Sequence, residues 1–366
     1  MIENYKITLT PITPIHIGNG QEIFPYEYIV KNGYLYKFNA MDLYDNLGEE
    51  QKNKFNEYAQ KSLIELRTYI TQIYNESLGY EIKIEASNEF IYNYDKKIQG
   101  AKNSNEENSF IVNDFVNINN KAYIPASTLK GAIKSAYLYD LGDCNKKFDY
   151  KVIKNNKGIK EIIDNNDKKN KKSKSNIYEK DILQKTNAFD DPFKSVKISD
   201  SDLLENILKV YNINVYTYNQ KKYIFEKRMS SYNLCTKSVL STNDEIKFNI
   251  NLNLFKGYYN KGKVKKEITK FDILDALNLK SLDVIDNEIE FYENKAKYNE
   301  TLEVYEKLKK IHDDLDKDSE ALIRIGKGIG FDSTTFNLVN TNKIDINSRS
   351  LVEAIYPLGW AVIKFV

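Results

Sequence analysis

The strict alternation of apolar and polar residues between Glu245 and Phe255 is the pattern that most restricts the fold of this chain. The segment reads "EIKFNINLNLF", and lysine or asparagine separates its apolar residues. These apolar residues are Ile246, Phe248, Ile250, Leu252 and Leu254. A period of two predicts a strand with one buried face. A second segment, "YTYNQKKYIFEKR", is also typical of strands.

The first eighty residues predict further strands and then a helix. Tyr5, Ile7 and Leu9 alternate with polar residues, and Asn32-Gly33 separates two apolar runs, which is a strong signal for a two-residue hairpin. Apolar residues at helical spacing then predict one long helix from about 55 to 78, with Gly79 as its C-terminal stop.

The segment "AYIPASTLKGAIKSAYLYDL" predicts a short strand, a proline and a helix. Ser127 or Thr128 is expected to cap this helix, and Lys130 and Lys134 lie one turn apart on its polar face. A further helix is predicted from about 288 to 315, and "GWAVIKFV" predicts a last strand. Strand pairs interspersed with single helices in both halves indicate an α+β fold of tandem ferredoxin-like units.

Composition divides the chain into three regions. Residues 146–176 are rich in lysine and asparagine and poor in apolar residues, which predicts a solvated insertion. We therefore expect an N-terminal RRM-like region over 1–145 and a C-terminal RRM-like region over 177–366, each with a helical insertion, and the glycine-rich loop in the second.

Charge and cysteine content limit the possible functions. The two cysteines, Cys144 and Cys235, are far apart, which disfavours zinc sites and disulfide frameworks. The first residues predict a strand rather than a signal sequence, and no apolar run reaches the roughly 18 residues of a membrane helix. A cytoplasmic location is expected. With 54 basic and 52 acidic residues, the total charge does not indicate nucleic-acid binding, which must be judged from local patches.

Three glycines, Gly326, Gly328 and Gly330, form the loop "IRIGKGIGFDSTTF" together with Arg324 and Lys327. Such a turn can present unpaired N–H groups to an anion. The alternative interpretation is structural: a tight turn packed under a sheet, without a ligand. The spacing fits neither a nucleotide P-loop nor a dinucleotide fingerprint. A nucleic-acid backbone remains the natural polyanion. The helix start at "PASTLKG" indicates the same ligand, because the first N–H groups of a helix favour phosphate.

Other candidate groups have simpler structural explanations. His16 could act as a general acid or base, but the sequence identifies no partner and favours a structural role. Asp190, Asp191, Asp200 and Asp202 could hold Mg²⁺, although caps and turns are the preferred interpretation. Asp114 is worth testing without being assigned a catalytic role. No metal or cofactor is predicted.

Four motifs, "LTPITPIHIGNG", "YIPASTLKGAIKSAYL", "DPFKSVKISDS" and "RIGKGIGFDSTTF", occur in the order found in one family. Together they resemble the RAMP superfamily of CRISPR-associated RNA-binding proteins, and within it the fifth Csm subunits of type III-A interference complexes. The resemblance implies tandem ferredoxin-like domains and a ribonucleoprotein role in antiviral defence. In two positions the chain departs from the family pattern: Ala126 replaces a glycine, and Lys134 replaces an arginine.

The resemblance implies a non-catalytic subunit that binds crRNA, caps the filament at the crRNA 3′ end and supports crRNA maturation and assembly. Implied partners are the crRNA, neighbouring Csm backbone and small subunits, and crRNA-trimming host nucleases. The implied RNA-binding residues are Ser127, Thr128, Lys130, Gly131, Lys134, Arg324, Gly326, Lys327, Gly328 and Gly330. The RNP aromatic motif is absent, so backbone charge and shape are expected to dominate binding.

Two other functions remain open from the sequence. A RAMP endoribonuclease that processes precursor crRNA would use His16 and would cut without metal. An interaction module would recruit trimming nucleases through the Lys/Asn-rich insertion, and its removal would impair maturation while RNA binding persisted.

Overall fold

The computed structural model describes residues 1–98, 110–142, 150–154, 160–164, 179, 182–183, 190–257, 267–328 and 347–366. The fold is mixed α+β, which confirms the predicted class. Within the described ranges, no helix is both long and apolar enough to cross a membrane. Of the predicted insertion 146–176, the described part is a pair of antiparallel strands, Tyr150–Lys154 and Lys160–Asp164.

The secondary structure is as follows. The strands are β1 (Ile2–Pro11), β2 (Gly18–Ile23), β3 (Tyr28–Lys31), β4 (Tyr34–Lys37), β5 (Ile82–Ala86), β6 (Val112–Phe115), β7 (Asn117–Ile118), β8 (Lys121–Ala122), β9 (Tyr150–Lys154), β10 (Lys160–Asp164), β11 (Val196–Ile198), β12 (Leu208–Asn219), β13 (Ile224–Thr236), β14 (Phe248–Phe255), β15 (Glu320–Arg324), β16 (Ser348–Val352), β17 (Tyr356–Pro357) and β18 (Trp360–Phe365). The helices are α1 (Ala40–Asp45), α2 (Glu49–Lys61), α3 (Leu63–Ile73), α4 (Asn88–Ile98), α5 (Ala126–Leu141), α6 (Val239–Thr242), α7 (Lys270–Glu290) and α8 (Asn299–Asp314).

The first sheet has five strands in the order β11-β14-β1-β18-β15, and all neighbours are antiparallel. Strand β11 therefore runs parallel to β1 with β14 between them, and β14 runs parallel to β18 with β1 between them. Helix α5 lies between β1 and β11 in the chain, α7 follows β14, and the two helices pack against each other. This is the arrangement of a split β-α-β unit.

The second sheet has the order β2-β6-β13-β12-β5-β4-β3, and β12 also pairs with β16. Its strand order differs from that of the first sheet. The β3-β4 turn contains Asn32 and Gly33 at φ values of 51° and 84°, as the predicted hairpin requires. Strands from both 1–145 and 177–366 pair in each sheet.

Two predicted helices differ from the observed ones. The single helix expected from 55 to 78 is divided into α2 and α3, because Ser62 has an extended backbone and its side chain accepts a hydrogen bond from the Glu65 N–H. The helix expected from 288 to 315 belongs to two helices, α7 and α8. A π-helical turn at Phe291–Ala296 separates them.

The loop that joins the two sheets, residues 12–17, is buried along its whole length. Ile12 and Thr13 donate backbone hydrogen bonds to the Trp360 carbonyl at 2.8 and 3.1 Å. The Ile15 carbonyl accepts a 2.9 Å bond from the Thr236 N–H. The Ile17 carbonyl accepts a 2.8 Å bond from the Val116 N–H. The loop thus replaces water with partners from both sheets, as a buried backbone must.

A buried ion pair connects the second sheet to α7. Arg349 on β16 donates from Nε to the Glu288 carboxylate at 2.8 Å, and the two side chains are 9% and 4% exposed. The Arg349 guanidinium also lies 4.2 Å from the centre of the Phe291 ring. Since removing one partner of such a pair leaves an uncompensated charge, this contact fixes how β16 and α7 pack.

Glu353, which follows β16, is a partly buried carboxyl beside a second one. Burial raises the pKa of Glu353 to about 7, and the nearby Glu89 carboxylate adds to the rise. The Asn212 N–H and the Ser87 hydroxyl donate to Glu353 at 2.9 and 2.7 Å and oppose this change in pKa. The folded protein therefore holds a proton here at a pH where the unfolded chain has released it.

We expect Glu353→Gln to raise the free energy of unfolding at pH 8 by on the order of 2 kcal/mol and to change it little at pH 5. The raised pKa means that the wild-type protein loses stability as the pH rises from about 4.5 to about 7, whereas glutamine stays neutral. Urea unfolding at both pH values measures the difference. Glu245→Gln, at an exposed site, is the control. Equal pH dependence of Glu353→Gln and wild type would contradict the prediction.

Candidate nucleic-acid interface

The structure brings the α5 start and the glycine-rich loop together in one cleft of about 350 Å³. Thr128 and Gly131 of α5 form one wall, and Arg324, Gly326 and Lys327 form the other. Ile17 and Gly18, from the N-terminal motif, also line the cleft. Three of the motifs that lie far apart in the sequence therefore share one surface.

The glycine turn is required by close packing. Gly326 has φ 91°, and a Cβ at this position would lie 2.5 Å from the His16 carbonyl oxygen. Gly328 has φ 78°, and its Cβ would lie 2.6 Å from Leu358 Cδ1. Neither position accommodates a side chain without moving its neighbours. The interpretation as a tight turn against a sheet is thus confirmed for Gly326 and Gly328, while Gly330 and the hydroxyl residues 333–335 lie outside the described residues.

Two backbone N–H groups of this turn are used by the protein itself. Lys327 N–H donates to the His16 carbonyl at 2.8 Å, and Ile325 N–H donates to the Gly359 carbonyl at 2.8 Å. These two groups do not form the expected anion-binding concavity. The positive charge of the loop comes from side chains: Lys327 is exposed, and Arg324 donates from Nε to the Leu358 carbonyl with its guanidinium over Trp360.

The predicted caps of α5 are wrong. Pro125 occupies the N-cap position, with no side-chain cap bond. The Asp200 carboxylate accepts from the Ala126 N–H at 2.7 Å and supplies the negative charge that a helix start favours. Thr128 instead lies in the wall of the cleft. A carboxylate from a distant loop has taken the position that Ser127 or Thr128 was expected to fill.

The two lysines predicted on the polar face of α5 contact protein groups. Lys130 Nζ donates to the Val196 carbonyl at 2.6 Å, and burial lowers the pKa of this ammonium. Lys134 Nζ forms ion pairs with Glu179 at 2.6 Å and Asp191 at 2.7 Å. In these positions both side chains anchor α5 to the β11 region.

The cleft contains a lysine that the sequence analysis missed. Lys280 of α7 lines the cleft and is only 9% exposed, and its Nζ donates to the Ser135 hydroxyl at 2.7 Å. Burial lowers the pKa of Lys280 to about 7. Lys280 follows the apolar residues Ala276 and Leu277 by four and three positions, so it lies on the buried stripe of α7. In the sequence, the signal that could have identified Lys280 is a lysine among the apolar residues of a helix's buried face.

His16 is enclosed by protein. Its side chain is 1% exposed, and Nδ1–H donates to the Leu234 carbonyl at 2.7 Å. Burial lowers the pKa of His16, the bond to Leu234 opposes this change, and the Lys327 charge lowers it further. Nε2 faces Gly18, because a Cβ at that position would lie 3.2 Å from it. This geometry supports the structural role.

The predicted cap role is confirmed for Asp191, the N-cap of a 3₁₀ turn, whereas Asp202 joins its loop to β14. Asp191 accepts from Phe193 N–H, and Asp202 accepts from Asn249 N–H at 2.8 Å. Asp114 accepts from Asn19 Nδ2 at 2.9 Å and from Phe115 N–H at 2.8 Å. Among the described residues, no group of three or more potential ligands is arranged for a metal ion.

The sequence matches the family model of the RAMP superfamily over residues 8–334. A Methanocaldococcus jannaschii protein named "CRISPR system Cms protein Csm5" is 29% identical over 354 residues, which cover 95% of this chain and 72% of that protein. This similarity agrees with the predicted resemblance to fifth Csm subunits.

Two solved structures share the fold. One is a chain in the cryo-EM structure of a "Csm-crRNA-target RNA ternary complex in type III-A CRISPR-Cas system", with a TM-score of 0.62, 17% identity and 100% coverage of both chains. The other is T. onnurineus Csm5, with a TM-score of 0.63, 16% identity and coverage of 97% of this chain and 99% of that one.

We expect Gly326→Ala to destabilise the protein more than Gly33→Ala. Both glycines have left-handed φ values, 91° and 84°, so both substitutions cost about 1–2 kcal/mol in backbone strain. Only Gly326→Ala adds an overlap with His16, because a Cβ at Gly33 meets nothing within 4 Å. The overlap is expected to cost about 1–3 kcal/mol more. Denaturant unfolding of both variants measures the difference, and equal losses would contradict the packing argument.

Proposed function

This chain belongs to the RAMP superfamily, and from that membership we propose that it is a non-catalytic crRNA-binding subunit of a type III-A CRISPR interference complex. The similarity to a protein named Csm5 over 95% of the chain supports the assignment to this subunit type. The shared fold with a chain of a Csm-crRNA-target RNA complex is consistent with it.

The observation that carries the proposal is the cleft between α5 and the glycine-rich loop. Arg324 and Lys327 on one wall and Lys280 at the floor give it positive charge, and Thr128 on the α5 wall adds a hydroxyl. A polyanion backbone is the natural ligand of such a surface. RNA would be held here through phosphate and sugar groups. Of the residues that the sequence implies, Thr128, Gly131, Arg324, Gly326 and Lys327 line the cleft and are favoured.

The finer role follows from the same family assignment. We place the subunit at the crRNA 3′ end of the filament, where it supports crRNA maturation and assembly. Its neighbours would be Csm backbone and small subunits, and host nucleases would trim the crRNA beside it in the cytoplasm. The first sheet with α5 and α7 would be one ferredoxin-like unit, as its strand order supports, and the second sheet a diverged companion unit.

The endoribonuclease alternative depends on His16. A general acid or base must come within hydrogen-bond reach of its substrate. The His16 ring is 1% exposed, its Nδ1–H is bonded to Leu234, and its Nε2 faces the Gly18 backbone. This placement favours binding without cleavage.

The test incubates the purified chain with labelled crRNA and with repeat-containing precursor, each with and without Mg²⁺, and scores binding and cutting on one gel. We expect binding that weakens with salt, without cleavage, because phosphate contacts release counterions. Specific metal-independent cutting that His16→Ala abolishes would establish the enzyme instead.

Lys327→Ala is expected to weaken binding of single-stranded RNA and to reduce the slope of log affinity against log salt by about 0.7, the value for one phosphate contact. Lys309→Ala is the matched control, because Lys309 is an exposed lysine on α8 that pairs with Asp286.

The double variant Lys130→Ala with Lys134→Ala separates two explanations for these lysines. A reduction of about 1.4 in the slope, with the fold intact, would indicate that they leave their protein partners to contact RNA.

A further inference from the structure

Lys280 occupies the floor of the cleft in surroundings that do not suit an isolated charge. Ala132 of α5 lines the cleft with it, and Ala136 of α5 and Leu277 of its own helix line a small cavity of about 20 Å³ that Lys280 also borders. The ammonium donates one hydrogen bond, to the neutral Ser135 hydroxyl at 2.7 Å. A buried ammonium is costly unless an anion or several acceptors stabilise it. Burial is the sole cause of the lowered pKa of Lys280, so no described carboxylate offsets that cost.

Lys280 shares the cleft with two other basic residues. Arg324 and Lys327 line the same cavity of about 350 Å³, which is large enough for a phosphate together with its sugar. An anion in this cavity would lie between Arg324 and Lys327 of one wall and Lys280 at the floor. It would also neutralise the ammonium that burial destabilises.

We propose that Lys280, positioned by Ser135, binds a backbone phosphate of the RNA at the floor of the cleft between α5 and the glycine-rich loop. The inference rests on the proposed RNA-binding function and adds to it a contact that no surface lysine of α5 provides. Lys280 thereby takes the role that the sequence assigned to Lys130 and Lys134, whose ammonium groups hold Val196, Glu179 and Asp191.

Phosphate binding at this position is linked to proton uptake. The ammonium is partly deprotonated above pH 7 in the free protein, and a bound phosphate favours the protonated form. RNA affinity should therefore be flat below about pH 7 and should fall as the pH rises above it, by up to about tenfold per pH unit.

Several other titratable or charged groups lie near the site. On elements packed against α7 or the cleft they include Tyr137 and Tyr139 on α5, Lys309 and His312 on α8, Arg324 on β15, Arg349 on β16, Lys327 in the glycine turn and His16 behind Gly18. Burial raises the pKa of Tyr137 and lowers the pKa of His16, which moves both away from the range between 7 and 9.

The experiment measures the Kd of a fluorescent single-stranded RNA between pH 6 and 9 at constant salt, together with the melting temperature, for wild type and three variants. Lys280→Met keeps the length and apolar stem of the side chain but removes the charge. Lys280→Arg keeps a charge that does not titrate in this range. Lys309→Met removes one exposed charge elsewhere and is the matched control.

We expect Lys280→Met to bind RNA at least tenfold more weakly at pH 6.5, to lose the decline in affinity above pH 7, and to melt at the same or a higher temperature. A purely structural lysine would give a lower melting temperature without a change in the pH profile. Lys280→Arg should bind at all pH values without the decline, and it keeps the test decisive if Lys280→Met does not fold. Unchanged Kd and pH profile in both variants would overturn the inference.

Inorganic phosphate distinguishes the source of the anion. Inorganic phosphate at about 10 mM should raise the melting temperature of wild type but not of Lys280→Met, and it should compete with RNA for binding. Both results together would support a phosphate contact of RNA at this site. Stabilisation by phosphate without any effect of Lys280→Met on RNA binding would overturn the assignment to RNA. If the wild-type chain binds no RNA at all, the proposed function is wrong. If it binds RNA and substitution of Lys280 leaves that binding unchanged, only this inference is wrong.

Discussion

The backbone N–H and C=O groups of a buried segment must find hydrogen-bond partners. In this protein the buried segment 12–17 finds them in both sheets and so connects the two. Its partners come from β13, from the Trp360 end of β18, from the loop after β6 and from the glycine turn. Each partner is fixed in position because each lies in or beside a strand. The glycine at 326 follows from the same constraint, since the His16 carbonyl leaves no room for a side chain. The segment thus fixes the glycine-turn wall of the cleft, which its own Ile17 also lines.

Elements specified by local sequence were predictable. The alternation in β14 and the Asn32-Gly33 turn both appear as expected, because each depends on side-chain period or on backbone φ within a few residues. The division at Ser62 and the π-helical turn before α8 were missed, since apolar spacing continues across both. The course of 12–17 was beyond sequence reasoning because its hydrogen-bond partners lie far away in the sequence.

The candidate site was predictable in its motifs and less so in its charges. Sequence order identified the α5 start and the glycine loop, and the structure brings them together. Which lysines face the cleft depends on their tertiary partners. Asp191 and Val196 bind the two lysines of α5, and the sequence of α5 does not indicate these contacts. Lys280 was detectable as a basic residue on an apolar stripe, but the period of a helix does not reveal that a cleft opens beside it.

Strand β1 has a consequence for how the chain is made. It is the central strand of the first sheet, paired on one side with β14 and on the other with β18. Both partners are synthesised long after β1. The two edges of β1 therefore remain unpaired while most of the second sheet and its helices leave the ribosome. Contacts of such long sequence separation form slowly, and exposed strand edges invite association with other chains. One edge of β1 therefore stays open to other chains until residues 360–365 have been synthesised.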